Sequence, residues 1–75
     1  MRAERLVAMA NDIGHFFDVE PDKNEAAKNV ANHLKRYWDP RMRREIVAYY
    51  REKGGAGLDP VPRSAVALLA TTPST

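Results

Sequence analysis

At 75 residues the chain holds at most one small domain, whose single core supplies only about 3–5 kcal/mol of net stability and invites support from a partner. It contains no cysteine, which excludes disulfides and thiolate metal sites, and no apolar run approaches the roughly 20 residues of a membrane span. The formal net charge of +2 is too small to make the whole chain a nucleic-acid binder on electrostatic grounds.

The amino terminus lacks the apolar segment of a signal peptide, so the expected location is the cytoplasm. From Arg2 to Phe17 the residues Leu6, Met9, Ala10, Ile13, Phe16 and Phe17 recur at three- and four-residue steps, the spacing of an amphipathic helix. Gly14 inside it costs about 1 kcal/mol relative to alanine, so it marks either close packing by a neighbouring helix or an early fray. Asp18 to Asp22, with Pro21, reads as a turn. A second helix is expected from about Asn24 to Tyr37, with Ala26, Ala27, Val30, Ala31, Leu34 and Tyr37 as its apolar stripe. Glu25 near its start and Lys35 and Arg36 in its last turn suit the helix dipole.

The connection that follows is very short, Trp38 and Asp39 only, so the next helix should meet the second at a corner. Asp39 reads as an N-cap and Pro40 as the first helical residue, because a carboxylate accepts orphan N–H groups and proline has none to lose. Met42, Ile46, Val47, Tyr49 and Tyr50 give this third helix a broad apolar face, and it ends near Lys53 at the run Gly54-Gly55-Ala56-Gly57. Asp59-Pro60 repeats the cap logic and opens a short fourth helix with Val61, Ala65, Leu68 and Leu69 on one side, Pro62 being tolerable in its first turn. Thr71 to Thr75, with Pro73, reads as a disordered tail. The expectation is an all-α fold: a single helical domain over residues 1–70, built from three principal helices and a short fourth.

Charge is unevenly placed. Residues 35–44 carry Lys35, Arg36, Arg41, Arg43 and Arg44 against Asp39 alone, a local +4 that leaves −2 for the rest of the chain. Asp18, Glu20, Asp22 and Glu25 face only Lys23 at the other extreme, which predicts an acidic corner and a basic one. Arg41, Arg43 and Arg44 sit at the positive end of their own helix dipole, where each cation is disfavoured by about 0.3–1 kcal/mol. Such a broken local rule points to function. A solvated surface with Arg41 paired to Glu45 is the bland account. The sharper one is an anion-accepting surface of arginine forks around a helix start, with Trp38 and Met42 as its apolar anchor. Trp38 can equally belong to the domain's own core.

Chemistry of the catalytic kind finds no footing. His15 and His33 lie on different helices with no metal-ligand spacing linking them, and Ser64 and Ser74 have no triad partners in view. The glycine run superficially resembles a phosphate loop, but without a preceding strand or the loop's lysine and hydroxyl it reads as a helix C-cap. The chain is therefore read as non-enzymatic, with no catalytic, cofactor-binding or metal-ligating residues of its own.

Three blocks resemble the small delta subunit of the NAD-dependent, molybdenum-containing formate dehydrogenases of bacterial cytoplasm. They are Leu6-Val7-Ala8-Met9-Ala10-Asn11-Asp12-Ile13-Gly14-His15-Phe16-Phe17, then Trp38-Asp39-Pro40-Arg41-Met42-Arg43 with Ile46, and finally Gly54-Gly55-Ala56-Gly57-Leu58 with Pro60. Their order, spacing and total length agree with that family. After Pro60 the family continues in a charged amphipathic helix, whereas Val61 to Ala70 here holds Arg63 as its only charge. The resemblance implies a non-catalytic subunit or maturation factor of a complex that uses molybdopterin guanine dinucleotide, iron–sulfur clusters, FMN and NAD, all held by other subunits. Its partners would be the larger formate dehydrogenase subunits. The expected contact residues are Lys35, Arg36, Trp38, Arg41, Met42, Arg43 and Arg44. A variant of this reading has the arginines holding the cofactor's polyphosphate during its delivery.

Two other classes compete. A small helical nucleic-acid binder would insert the third helix into a major groove with its arginines forward, but five cations make few phosphate contacts. A regulatory module could instead dimerise through Tyr49, Tyr50 and the last helix. No membrane partner is expected.

Overall fold

The computed structural model describes residues 2–71, in which four helices follow one another: α1 (Ala3–Phe17), α2 (Lys23–Tyr37), α3 (Pro40–Lys53) and α4 (Pro60–Thr71). No strand occurs among the described residues, so the class is all-α as expected. The fourth helix is no minor appendage. Its 12 residues are two fewer than those of α3, and it packs mainly against α2 and then α3. Thr71 belongs to α4 and is removed from the expected tail; residues 72–75 lie outside the described residues.

Short-range chemistry sets the ends. Asp39 caps α3 as its residue type requires, its carboxylate accepting the Met42 N–H at 2.9 Å, and Pro40 follows in the first turn. Asp22 caps α2 in the same way, accepting from Asn24 N at 3.0 Å and Glu25 N at 3.3 Å, which starts that helix one residue before the expected Asn24. Gly54 ends α3 in the left-handed conformation, φ 68°, its N–H returning to the Tyr50 carbonyl at 2.8 Å. Asp59 departs from the expected cap. Its carbonyl accepts the Arg63 N–H at 2.9 Å, but Pro62 stands at the third helical position and offers no N–H, and the Asp59 carboxylate lies 3.1 Å from His15 Nε2 on α1 instead.

Buried side chains from all four helices meet in one core: Leu6 and Ala10, then Ala26, Val30 and Leu34, then Ile46, then Ala65, Val66 and Leu69. Three residues assigned to apolar stripes turn out to face solvent: Phe16, Tyr37 and Leu68. On α4 the buried side comprises Val61, Pro62, Ala65, Val66 and Leu69 rather than the expected set with Leu68. The physical reason at α1 is angular. Adjacent helical residues are about 100° apart, so when Phe17 turns toward the core Phe16 is carried off the stripe.

Gly14 lies directly against Pro62 of α4, which answers its two expected roles in favour of packing. A Cβ built there would stand 2.6 Å from Cγ and 2.8 Å from Cδ of Pro62, and the pyrrolidine ring cannot swing aside. Gly14→Ala should therefore gain about 1 kcal/mol of helix propensity and lose about 1–3 kcal/mol to overpacking, a net destabilisation of about 1 kcal/mol. The double variant Gly14→Ala with Pro62→Ala should recover part of that loss in urea unfolding. Additive losses would show that the two sites are uncoupled.

The turn between α3 and α4 is held from outside. Asn11 on α1 donates through Nδ2 to the Gly57 carbonyl at 3.0 Å and accepts the Asp59 N–H through Oδ1 at 2.9 Å. Tyr49 donates its hydroxyl to the Ala56 carbonyl at 2.6 Å. One amide side chain thus pairs with two backbone groups that no helix could serve.

Candidate functional site

The basic corner forms where α2 ends and α3 begins. Trp38 occupies the connection and is only 5 % exposed, packed within the core cluster. Of the two roles open to it, core is the one observed. Met42 is half-buried against the same core, so the expected apolar anchor of the corner faces inward.

Arg43 has a structural task that its sequence position conceals. Its Nη1 donates to the Lys35 carbonyl at 3.1 Å and, at shorter range, to the Trp38 carbonyl. Those carbonyls close the C-terminal end of α2, the negative end of that helix's dipole. The arginine that is misplaced on α3 is well placed on α2, because the two-residue connection brings the positive end of one helix beside the negative end of the other.

The other four cations are left over. Lys35, Arg36, Arg41 and Arg44 are exposed, and among the described residues their side chains form neither a hydrogen bond nor an ion pair. The Arg41–Glu45 pair of the bland account is not made. Arg41 and Arg44 border a shallow depression with Asp39 and Pro40.

At the acidic corner the situation is reversed. Lys23 Nζ reaches Asp18 Oδ1 at 3.1 Å and the Asp18 and Glu20 carbonyls at 2.9 and 3.1 Å. Lys28 Nζ lies 3.3 Å from Glu25 Oε1. Glu20 accepts the Asp22 N–H at 3.2 Å, and Asp22 caps α2. All four acidic side chains are engaged, while four of the five basic ones are not.

A feature absent from the expected site runs along the α1/α2 side. The Phe16 and Phe17 rings meet edge-on with centroids 5.1 Å apart, Phe17 lies 6.0 Å from the His33 ring, and His33 lies 4.7 Å from Tyr37. Phe16 is 75 % exposed, Tyr37 71 %, and Val19 in the following turn 86 %. The helical period carried the signal for Phe16, since the residue falls one position off the Leu6, Ala10, Gly14, Phe17 line.

The remaining candidates are accounted for by contacts within the chain. His15 faces Asp59 and His33 stacks in the ring strip, so the two histidines do not converge, and among the described residues no three His, Asp or Glu side chains gather as metal ligands. Tyr49 and Tyr50, expected at a dimer face, are half-buried: Tyr49 is bonded to the glycine turn, and Tyr50 lies against Gly55. No described helix is long and apolar enough to cross a membrane.

Searches among curated proteins and among solved structures return no significant match. The family model described as the NADH-dependent formate dehydrogenase delta subunit FdsD matches residues 5–66, from the first turn of α1 into α4. That span takes in Asn11 and the turn it holds, the close contact of Gly14 with Pro62, and the Asp39-Pro40 corner stapled by Arg43. Matched over most of its length and across every one of these contacts, the chain belongs to the delta-subunit family of NADH-dependent formate dehydrogenase.

Proposed function

We propose that the chain is a non-catalytic small subunit or assembly factor of a cytoplasmic NAD-dependent formate dehydrogenase complex, acting by binding the larger subunits. The observation that carries this reading is the set of four exposed cations, Lys35, Arg36, Arg41 and Arg44, which pair with no carboxylate among the described residues. Unpaired arginine forks at one corner suit carboxylates supplied by another surface. The small core agrees with a protein that gains stability from its complex.

The iron–sulfur clusters of such a complex do not fit this chain. Iron–sulfur clusters require cysteine thiolates, and the sequence has none. Molybdopterin guanine dinucleotide, FMN and NAD are assigned here to the other subunits, and no step of formate oxidation is routed through these residues.

Reversing Arg41 and Arg44 together (Arg41→Glu with Arg44→Glu) tests the reading without touching the Arg43 staple. Co-purification with the larger subunits should weaken by about 1–2 kcal/mol, roughly five- to thirtyfold in affinity. Formate-dependent NAD reduction in cells should fall with it, while the isolated variant keeps its helical content. A complex of undiminished yield and activity would remove the corner from the interface.

A further inference from the structure

We infer that the ring strip of Phe16, Phe17, His33 and Tyr37, exposed at Phe16 and Tyr37 and followed in the chain by exposed Val19, is a docking surface for an apolar patch rimmed by carboxylates on a larger subunit of the complex. This rests on the subunit reading above and gives it a site distinct from the basic corner alone.

Three observations converge. Two exposed rings are ordered against two half-buried ones: Phe16 stands at 89° to Phe17, which packs on the core, and His33 bridges Phe17 and Tyr37 at centroid distances of 6.0 and 4.7 Å. Rings held in place before a partner arrives lose little freedom on binding, and aromatic side chains are the usual anchors of protein interfaces. Secondly, the strip is continuous in sequence with the unpaired cations. Tyr37 directly follows Lys35 and Arg36 at the end of α2, and Arg41 and Arg44 begin α3 just beyond it. An apolar centre edged by free positive charge is complementary to an apolar patch edged by negative charge.

The third observation selects the occupant. Asp18 and Glu20 flank the strip at the α1 end, so a second copy turned about a two-fold axis could in principle set its acidic end on this basic one. Those carboxylates are already taken, Asp18 by Lys23 at 3.1 Å and Glu20 by the Asp22 N–H at 3.2 Å. Among the described residues the four free cations have no such partners. A surface that brings unshared carboxylates serves these cations alone, whereas the Asp18 and Glu20 carboxylates of a second copy would be shared with the contacts they already make.

The test co-expresses the tagged chain with the other formate dehydrogenase subunits and measures how much large subunit it retains. Phe16→Ser with Tyr37→Ser should cut retention at least tenfold while the purified variant keeps its helical circular dichroism, since both side chains are exposed. Leu68→Ser, an exposed apolar residue on α4, should leave retention unchanged. A photo-reactive benzophenone at position 16 should crosslink to a large-subunit segment flanked by aspartate or glutamate. Retention equal to the unaltered chain, equal loss with Leu68→Ser, or a crosslink only to a second copy would each overturn the inference. If the unaltered chain is itself not retained, the failure belongs to the subunit reading rather than to the strip.

Discussion

Trp38→Ala is expected to leave the isolated chain without a cooperative folded state at 25 °C. The indole is 5 % exposed and lies in the connection between α2 and α3, where it packs into the core cluster shared by all four helices. Truncating a buried tryptophan to alanine costs about 3–5 kcal/mol, from lost transfer energy and the cavity left behind. A domain of this size has about that much stability in total. Far-UV circular dichroism against urea checks the outcome: Trp38→Ala should show a sloping baseline with no transition, and Trp38→Phe should retain a transition at a lower midpoint. If Trp38→Ala unfolds cooperatively within about 1 kcal/mol of the unaltered chain, the indole is not holding the corner together. Adding the larger subunits should partly restore structure to Trp38→Ala, because binding to the folded form draws the equilibrium toward it.

The three arginines of the α3 start should separate sharply when each is replaced by methionine. Arg43→Met removes charged donors from the Lys35 and Trp38 carbonyls, a loss of about 1.5–3 kcal/mol, offset by about 0.3–1 kcal/mol from relieving the unfavourable charge on the α3 dipole. The net effect is a destabilisation of about 1–2 kcal/mol, seen as a drop in melting temperature of roughly 4–15 °C. Arg41→Met and Arg44→Met lose no hydrogen bond and should stay within about 0.5 kcal/mol of the starting stability, on the stable side if on either. Equal effects at all three positions would mean that Arg43 does not staple the end of α2. Arg43→Lys should rescue only part of the loss, since an ammonium cannot present the guanidinium's fixed fork.

These arginines also illustrate what the sequence could and could not convey. Helix boundaries were legible because their causes are local: Asp39 next to Pro40, and the glycines after Lys53, act within one turn. The misplacement of Arg43 was equally legible, but its resolution was not, because the carbonyls it serves belong to another helix and reach it only once the corner has formed. Asp59 shows the same limit. Its cap reading follows from local rules, yet Pro62 withdraws the N3 N–H that the equivalent Asp39 accepts from Met42, and His15, 44 residues away, offers an alternative. Phe16 and Tyr37 are aromatic and close to the helical period, so the stripe rule includes them, whereas the packing of the neighbouring helices decides where along the stripe the core stops. Of the expected contact residues, Lys35, Arg36, Arg41 and Arg44 stand at the surface, Arg43 is spent internally, and Trp38 and Met42 turn toward the core.

The Asn11 side chain has a consequence for how the molecule opens. It grips two backbone groups that lie 46 and 48 residues away in sequence and outside any helix, the Gly57 carbonyl and the Asp59 amide. A surface turn rich in glycine would ordinarily fluctuate ahead of the rest of a domain, exchanging its amide hydrogens by local excursions. Here the Asp59 amide is held by a side chain of α1, so its exchange depends on that helix as well as on the turn. The turn is thereby recruited into the same cooperative unit as the helices it joins.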